Sequence, residues 1–298
     1  MISHTQLTTT ATPDEPRLYE RPAWIVTSIC LVASLITLLF MILPASLASG
    51  GTGDPAIESI LAGTVGFVGA IIGFFLIARL FGIPPAALFL RLPTTATLAW
   101  AGVGIALGGM VVILATAAGW ATLSPGQLTS TELILRLVAG LAIGLWTGTL
   151  EEFLMRGVIL SILGHRWHWP GAVVVSAVIF GLLHHAAGDT VTAALLYVGI
   201  TTVAGLLFGI VTVSTGTVWN AVFMHAAWNA LFNEFVVGVE ASSVEPVLSV
   251  TVGPHFPVAA GQAALPESPL SLCLFVLTLL GTWWWIHRDV APSTQSIP

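Results

Sequence analysis

Residues 133–163 read LILRLVAGLAIGLWTGTLEEFLMRGVILSIL. Apart from Arg136 near its start, the first half of this stretch is free of charge. The whole stretch exceeds the roughly 20 helical residues that a hydrocarbon core of about 30 Å needs, so it can tilt or extend past the bilayer. Three ionisable residues interrupt its second half, namely Glu151, Glu152 and Arg156. Because charge within hydrocarbon is costly, the stretch predicts a membrane-spanning helix that carries functional polar groups.

The composition of the whole chain also indicates a protein that lies in lipid. Its 298 residues are 56% hydrophobic and 7% charged, whereas soluble domains carry about 25% charged residues. The net charge is −6, and the eight basic residues are all arginine and are scattered along the chain. We therefore expect an all-α, polytopic transmembrane helix bundle in a lipid bilayer, with no nucleic-acid partner.

Apolar runs of spanning length predict about eight membrane spans. The runs are 23–43, 59–81, 97–121, 133–163, 171–187, 191–213, 218–237 and 269–286. They suggest five regions along the chain. These are a disordered cytoplasmic N-terminus (1–21), three N-terminal transmembrane helices (22–132), a core of four helices (133–238), an extracytoplasmic loop (239–268), and a last transmembrane helix with a cytoplasmic tail (269–298).

The arginines predict the orientation of the bundle. With the N-terminus inside, only Arg136 falls near an outer end. Those on the cytoplasmic side are Arg17, Arg21, Arg79, Arg91, Arg166 and Arg288. This is the asymmetry expected of cytoplasmic loops, so both termini should be cytoplasmic. A chain rich in Ala, Val and Gly, with arginine as its only basic residue, is typical of a GC-rich prokaryotic genome, so we expect a multi-pass protein of a prokaryotic plasma membrane.

The charged residues of the fourth run divide into a pair and a single carboxylate. Glu152 and Arg156 are four residues apart, so they share one helix face in the favourable order. Glu151 points about 100° away and has no local countercharge, which suits general acid or base chemistry. Two alternatives are an ion-paired contact between helices and the proton site of a transporter.

Histidines in two later runs add to this pattern. His184 follows Phe180 by four residues, and because neighbours on a helix point about 100° apart, only one of His184 and His185 can face a given site. His225 and Asn229 lie one turn apart on one face. A lone intramembrane histidine is more often a hydrogen-bond partner between helices, but two of them beside a free carboxylate favour a site.

The depths of these residues in the bilayer agree with each other. At 1.5 Å per residue, Glu151, His184 and Asn229 lie roughly 20, 21 and 17 Å from the inner ends of their spans, and His225 lies roughly 11 Å from its own. All four residues can therefore meet in one layer. The sequence predicts a buried hydrolytic site there.

Together the three polar blocks resemble the CPBP intramembrane proteases, a family that includes type II CAAX prenyl endopeptidases and the bacteriocin-processing or immunity proteins of the Abi group. The family pattern is EExxxR, then FxxxH, then HxxxN or HxxxD, each on its own transmembrane helix. Here the blocks are Glu151-Glu152 with Arg156, Phe180 with His184, and His225 with Asn229. The resemblance covers residues 133–238 and implies a catalytic core like that of type II CAAX prenyl proteases.

The resemblance implies a role for each matching residue. Glu151 would be the general base that activates a water, and His184 would assist it, with His185 as the alternative histidine. His225 and Asn229 would stabilise the oxyanion of the tetrahedral intermediate.

Three further residues would support this site. Glu152 and Arg156 would form an ion pair, and Phe180 would pack beside the catalytic groups. The enzyme would then be an intramembrane endopeptidase that acts on membrane-associated peptides or proteins, CAAX-like or other.

The cofactor requirement stays open. Glu151, His184 and His225 could form an open three-ligand Zn²⁺ site, and Glu151 would then not be the free base. The same residues could bind a water directly. We favour the metal-free glutamate mechanism, with Zn²⁺ as the alternative.

Two other function classes also stay open. A non-catalytic membrane scaffold or bacteriocin-immunity protein would bind a partner through the outer loop and use the polar residues only structurally. A proton-coupled transporter would use Glu151, Glu152 and the histidines as a relay, although the sequence shows no inverted repeat.

Overall fold

The computed structural model describes residues 22–48, 53–185, 190–233, 235–239, 244–253, 256 and 265–288. The N-terminus predicted to be disordered (1–21) lies outside the described residues. So do parts of the predicted extracytoplasmic loop (239–268) and the end of the cytoplasmic tail (289–298).

Eight helices make up most of the described chain, and each overlaps one of the eight predicted runs. They are α1 (Ala23–Ala48), α2 (Pro55–Leu80), α3 (Thr95–Ala117), the helix Ser130–Arg166, α6 (Trp169–Leu183), α7 (Val191–Thr215), α8 (Trp219–Leu231) and α9 (Pro269–His287). The helix Ser130–Arg166 consists of α4 (Ser130–Glu152), a π-helical segment (Phe153–Ile159) and α5 (Leu160–Arg166). A short 3₁₀ turn (Pro85–Leu88) precedes α3.

The predicted all-α membrane architecture is confirmed. Within the described ranges, five helices are long and apolar enough to cross a membrane. They are α2, α3, the helix Ser130–Arg166, α7 and α9. Shorter apolar stretches occur in α1 (Ile25–Phe40) and in α6, and α8 has 13 residues. The protein is therefore an integral membrane protein whose helices differ in length.

A small sheet joins the ends of α3 and α8, which the sequence did not predict. Its strands are β1 (Ala121–Pro125), β2 (Val237–Val239) and β3 (Leu248–Val252), in the order β1-β3-β2. β1 pairs antiparallel with β3, and β2 pairs parallel with β3. The helical runs predicted to reach residues 121 and 237 were therefore wrong at these ends, because both residues lie in strands.

Local hydrogen bonds explain why the two helices end early. Gly119, after α3, has a φ of +69°, a conformation that favours glycine, and the next residue's N–H returns to the carbonyl of Ala115 at 2.9 Å. After α8, the side-chain oxygen of Asn233 accepts from the N–H groups of Phe235 and Val236 at 2.9 and 3.2 Å. Such side-chain bonds compete with the helical pattern and turn the chain toward β2.

Three glycines on α4 set its distance from α8. Gly140, Gly144 and Gly148 recur every four residues and are all buried. A Cβ atom on Gly144 would come within 2.7 Å of the backbone nitrogen of Ala230 and closer still to the Ala226 carbonyl oxygen. Small residues of this kind let helix backbones approach closely in membranes. The last turn of α4 is thereby held against the middle of α8.

Substituting Gly144 with alanine should loosen this contact. The added methyl group meets backbone atoms that have no rotamer to change, so we expect a destabilisation of about 1–3 kcal/mol. Thermal unfolding of the detergent-purified protein measures the change. Gly102→Ala on α3 is the matched control, because nothing lies within 4 Å of its Cβ position. Equal melting temperatures for the two variants would contradict the close-packing interpretation.

Candidate active site

The predicted polar residues reach one region of the bundle from three helices. Glu151 and Glu152 are the last two residues of α4, and His225 and Asn229 lie on α8. His184 is the C-cap of α6, with its N–H donated to the Gly181 carbonyl at 3.0 Å. The run was predicted to be helical to residue 187, but α6 ends at Leu183, so His184 lies at a helix end rather than inside a helix.

Glu151 lies between two imidazole rings. Its Oε2 atom is 3.8 Å from Nε2 of His184 and 3.8 Å from Nε2 of His225. These separations exceed direct hydrogen-bond distances. Oε2 is buried and has no hydrogen-bond partner among the described residues, while the side chain as a whole is 30% exposed. A carboxylate oxygen in this position is available to a small polar molecule.

The other ring nitrogens are already engaged. Nδ1 of His184 is 2.8 Å from the Phe180 carbonyl oxygen, and Nδ1 of His225 is 2.9 Å from Oε1 of Glu152. Both partners are acceptors, so each Nδ1 carries a hydrogen and donates it. In a neutral ring, Nε2 is then the unprotonated nitrogen. The Nε2 atoms of both histidines therefore face Glu151.

Glu152 and Arg156 form a buried ion pair beneath the histidines. Nη1 of Arg156 donates to Oε1 of Glu152 at 2.9 Å, and both side chains have 0% exposure. Nη2 donates to the backbone carbonyl of Gly205 on α7 at 3.0 Å. Because Oε1 of Glu152 also accepts from His225, one oxygen atom links the α4 helix, the guanidinium and α8.

The π-helical segment carries Arg156 and adjusts the backbone around it. The Leu160 N–H donates to the Met155 carbonyl, five residues earlier. Ser176 of α6 also donates to the Met155 carbonyl at 3.2 Å, and Ser161 donates to the Arg156 carbonyl at 3.4 Å. π-Helical turns are rare and are found frequently at functional sites. Here the turn lies directly after the two glutamates.

Two aromatic rings enclose the guanidinium and His225. The guanidinium carbon of Arg156 lies 4.5 Å from the ring centre of Phe180 and 5.3 Å from that of Phe208. The ring of His225 stacks on Phe208 at 4.8 Å, and His184 meets Phe180 edge-on at 4.7 Å. Phe180 thus packs against both the support pair and the predicted catalytic histidine.

Asn229 is held by a residue that the sequence did not single out. Its Nδ2 donates to Oγ1 of Thr147 at 3.0 Å, and that hydroxyl donates to the Ile143 carbonyl at 2.9 Å. Thr147 lies one turn before Glu151 on α4. The bond fixes the amide with one Nδ2 hydrogen still free to bind another acceptor.

The four predicted catalytic residues line one cavity of about 290 Å³. Glu151, His184, His225 and Asn229 all contribute to its wall, whereas Glu152 and Arg156 lie behind it. His185 is exposed, hydrogen-bonds the Leu182 carbonyl and is not part of the wall. The volume is at the lower end of the roughly 300–1,000 Å³ typical of small-molecule sites.

Sequence reasoning missed several residues of this cavity. Tyr197 packs edge-on against His184 at 5.7 Å, and Asn233 lines the cavity above Asn229. Asn233 and Thr147 each had a weak signal in the sequence. Asn233 extends the spacing of His225 and Asn229 by one further turn, and Thr147 stands one turn before Glu151 on the same helix face.

Glu151, His184 and His225 have side chains of the kind that bind Zn²⁺, but they do not form a three-ligand cluster in the structure. Among the residues that the structure describes, no group of three or more His, Cys, Asp or Glu side chains is arranged to hold a metal ion. The three predicted ligands meet only through the 3.8 Å contacts of Glu151.

Comparison with known proteins bears on this site directly. Residues 132–231 match the sequence model of the family described as type II CAAX prenyl endopeptidase Rce1-like. This segment belongs to the CAAX protease family. The match begins two residues into α4 and ends at the last residue of α8, so it contains every predicted site residue. No curated protein matches the chain.

Residues 132–231 are therefore similar to a CAAX-type intramembrane protease, and the apolar helices indicate a lipid environment. The CAAX protease segment comprises α4 to α8 and therefore the cavity's two glutamates, two histidines and Asn229. The sheet and α1 to α3 lie outside the matched residues. They pack around the CAAX protease segment, as α2 and α3 do against α4 and α8.

Removing one partner of the buried ion pair should destabilise the protein strongly. Arg156→Met leaves Glu152 charged in the interior, and the loss of one partner from a buried pair costs about 3–5 kcal/mol. Removing both charges in Glu152→Gln/Arg156→Met should cost less. Thermal unfolding of the purified variants measures both. A double variant that is no more stable than Arg156→Met would show that the pair is not the source of the effect.

Proposed function

We propose that the protein is a glutamate-type intramembrane endopeptidase that hydrolyses peptide bonds of membrane-associated peptides or proteins. The observation that carries the proposal is the position of Glu151 Oε2, 3.8 Å from Nε2 of both His184 and His225 in one cavity. The family match supports the reaction type. The roles below use this chain's own side chains.

Glu151 acts as the general base. A water that donates one hydrogen to Oε2 of Glu151 and the other to Nε2 of His184 directs its lone pair into the cavity. The Phe180 carbonyl supports this role, because it holds the His184 hydrogen on Nδ1 and leaves Nε2 as the acceptor. Glu151 takes a proton as the water oxygen attacks the carbonyl carbon of the substrate.

His225 and Asn229 stabilise the resulting oxyanion. Asn229 donates through its second Nδ2 hydrogen, since Thr147 takes the first. His225 already donates Nδ1–H to Glu152, so it can donate from Nε2 only as an imidazolium. In that form two carboxylates, one guanidinium and one imidazolium sum to zero charge. The donors are fixed before reaction, which is the condition for effective electrostatic stabilisation.

The intermediate then collapses with return of the proton. The C–N bond breaks, and the proton held by Glu151 passes to the departing amine nitrogen. One water is consumed, and a new carboxyl terminus and a new amino terminus form. This order of proton transfers is expected when one group acts first as general base and then as general acid.

The proposal includes an orientation with both termini in the cytoplasm of a prokaryotic plasma membrane. Arg79, Arg166 and Arg288 lie at the ends of α2, α5 and α9, whereas Arg136 lies near the start of α4. Arg136 is 3.9 Å from Asp54 at the start of α2, which places the starts of α2 and α4 at the same end. Arginine enrichment at the opposite end supports a cytoplasmic location for that end.

Glu151→Gln should abolish proteolysis while the fold is retained. The amide cannot accept a proton, so we expect cleavage to fall by at least about 10²-fold, at the lower range of general base contributions. New peptide termini in membrane fractions, measured by mass spectrometry at matched protein abundance, give the readout. Termini that are present only with the wild-type chain would support the proposal.

The same comparison separates the protease from a scaffold. If both forms produce the same termini and restore a deletion phenotype equally, the catalytic proposal is wrong. A scaffold that acts through the outer loop would instead lose function on deletion of residues 240–266.

His184→Ala and His185→Ala should differ sharply in activity. The His184 ring faces Glu151, whereas the His185 ring is exposed and outside the cavity. We expect at least a tenfold fall in cleavage rate for His184→Ala and less than a twofold change for His185→Ala. Initial rates on one cleaved peptide measure both. The reverse order would assign the role to His185.

A further inference from the structure

Three buried polar atoms behind the cavity wall have no hydrogen-bond partner within the part of the chain that the structure describes. They are Oγ1 of Thr149, Oε2 of Glu152 and Nε of Arg156. All three residues have 0% exposure. Buried polar groups in folded proteins are almost always paired with protein or with ordered water, and an unpaired group costs free energy. The three atoms therefore need a partner.

Covalent geometry and helical spacing keep these atoms close to one another. Oε2 of Glu152 shares a carbon with Oε1, and Nε of Arg156 shares a carbon with Nη1, while Oε1 and Nη1 are 2.9 Å apart. The acceptor and the donor without partners therefore belong to two groups that the ion pair already joins. Thr149 lies three residues before Glu152 on α4, and residues three apart are neighbours on a helix surface. Glu152 is thus the centre of the group, with a neighbour on either side along the helix.

The hydroxyl of Thr149 behaves differently from those of other helical threonines. Thr37, Thr147 and Thr201 each donate to the carbonyl four residues earlier, at distances between 2.7 and 2.9 Å. This bond is the common local solution for a hydroxyl inside a helix. The Thr149 hydroxyl makes no such bond to a described residue. It therefore keeps its hydrogen and its lone pairs for another partner.

The charges around the three atoms favour a neutral partner. An anion bound to Nε of Arg156 would face the Glu152 carboxylate, and a cation bound to Oε2 of Glu152 would face the Arg156 guanidinium. Repulsion between like charges is strong in buried surroundings of low dielectric. A water molecule can accept from Nε–H, donate to Oε2 and form a third bond with Thr149. Buried waters typically make about three hydrogen bonds.

We propose that a water molecule is bound behind the active site by Thr149, Glu152 and Arg156, and that it holds the Glu152 carboxylate in the orientation that positions His225. Oε1 of Glu152 lies 2.9 Å from Nδ1 of His225 and accepts its hydrogen. With Oε2 tied through the water to Nε, the carboxylate is held at both oxygens and resists rotation. Thr149 is then a positioning residue, which acts on His225 through the water and Glu152.

A high-resolution crystal structure of the full-length protein tests the water directly. We expect an electron-density peak about 2.7–3.2 Å from both Oε2 of Glu152 and Nε of Arg156, within reach of the Thr149 hydroxyl. Two results would overturn the proposal. One is a direct hydrogen bond from Nε to Oε2, and the other is a map in which both side chains are ordered without a peak between them.

Thr149→Val tests the site through the sign of its effect on thermal stability. If the hydroxyl binds the water, the substitution weakens a network around a buried ion pair, and the Tm of the detergent-purified protein should fall by at least about 2 °C. If the hydroxyl has no partner, the substitution removes an unsatisfied polar group, and the Tm should rise. A rise, or an unchanged Tm, would therefore contradict the proposal.

Thr212→Val is the matched control. The Thr212 hydroxyl on α7 is also buried without a partner among the described residues. It lies seven residues beyond Gly205, or about 10 Å along the helix, and Gly205 provides the carbonyl that Arg156 binds. We expect no fall in Tm for Thr212→Val. A fall as large as that of Thr149→Val would contradict a specific role of the ion pair.

The positioning role predicts a separate effect on catalysis, and this part of the inference rests on the proposed function. His225 would stabilise the oxyanion only in the transition state. Thr149→Val should therefore lower kcat at least about fivefold while KM changes less than about twofold. Thr149→Ser, which keeps a hydroxyl, should restore most of kcat, and Thr212→Val should match the wild-type protein. Initial rates on one cleaved peptide measure all three variants.

The remaining outcomes separate this inference from the proposed function. A loss that appears in KM instead of kcat, no recovery in Thr149→Ser, or an equal loss in Thr212→Val would overturn the positioning role while proteolysis stands. Absence of cleavage by the wild-type protein, or equal cleavage by Glu151→Gln, would overturn the proposed function. The electron density and the melting temperatures would still decide whether the water is bound.

Discussion

The ion pair between Glu152 and Arg156 is the constraint on which the rest of the site depends. Both side chains are fully buried in an apolar bundle, where an unpaired charge costs several kcal/mol. Each charge is therefore tied to structure on another helix, Glu152 to His225 of α8 and Arg156 to the Gly205 carbonyl of α7. The pair fixes three helices around one point, and the cavity lies directly above that point.

The backbone of the helix Ser130–Arg166 is adapted to this arrangement both before and after Glu151 and Glu152. Before the pair, Gly140, Gly144 and Gly148 allow α8 to approach closely enough for His225 to reach Glu152. After the pair, the π-helical segment places Arg156 under the rings of Phe180 and Phe208. Because α6 is short and ends at Leu183, its C-cap His184 lies beside Glu151.

Most of the bundle could be predicted from the sequence, because bilayer thickness makes apolar length a strong signal. The pairing of Glu152 with Arg156 was also predictable, since it depends only on helical spacing. The sheet was not, because Val237 and Ala121 continue apolar runs, and only the distant partner strand β3 makes them strands. The bond from Glu152 to His225 joins residues 73 positions apart, and helical periodicity carries no information about such pairs.

Glu151 and Glu152 are adjacent in sequence but differ in surroundings, and this difference suits a division of roles. Glu152 has both a guanidinium and an imidazole as partners, so its charge is held in place. Within the part of the chain that the structure describes, Glu151 has only the 3.8 Å approaches of two Nε2 atoms. In the proposed mechanism, Glu151 takes the proton of the attacking water, and its negative charge passes to the oxyanion beside the same His225. The net charge of the cluster is unchanged by this step. Only the negative charge moves, over a short distance between fixed donors. A buried site can accommodate such a step because its surroundings need little reorganisation.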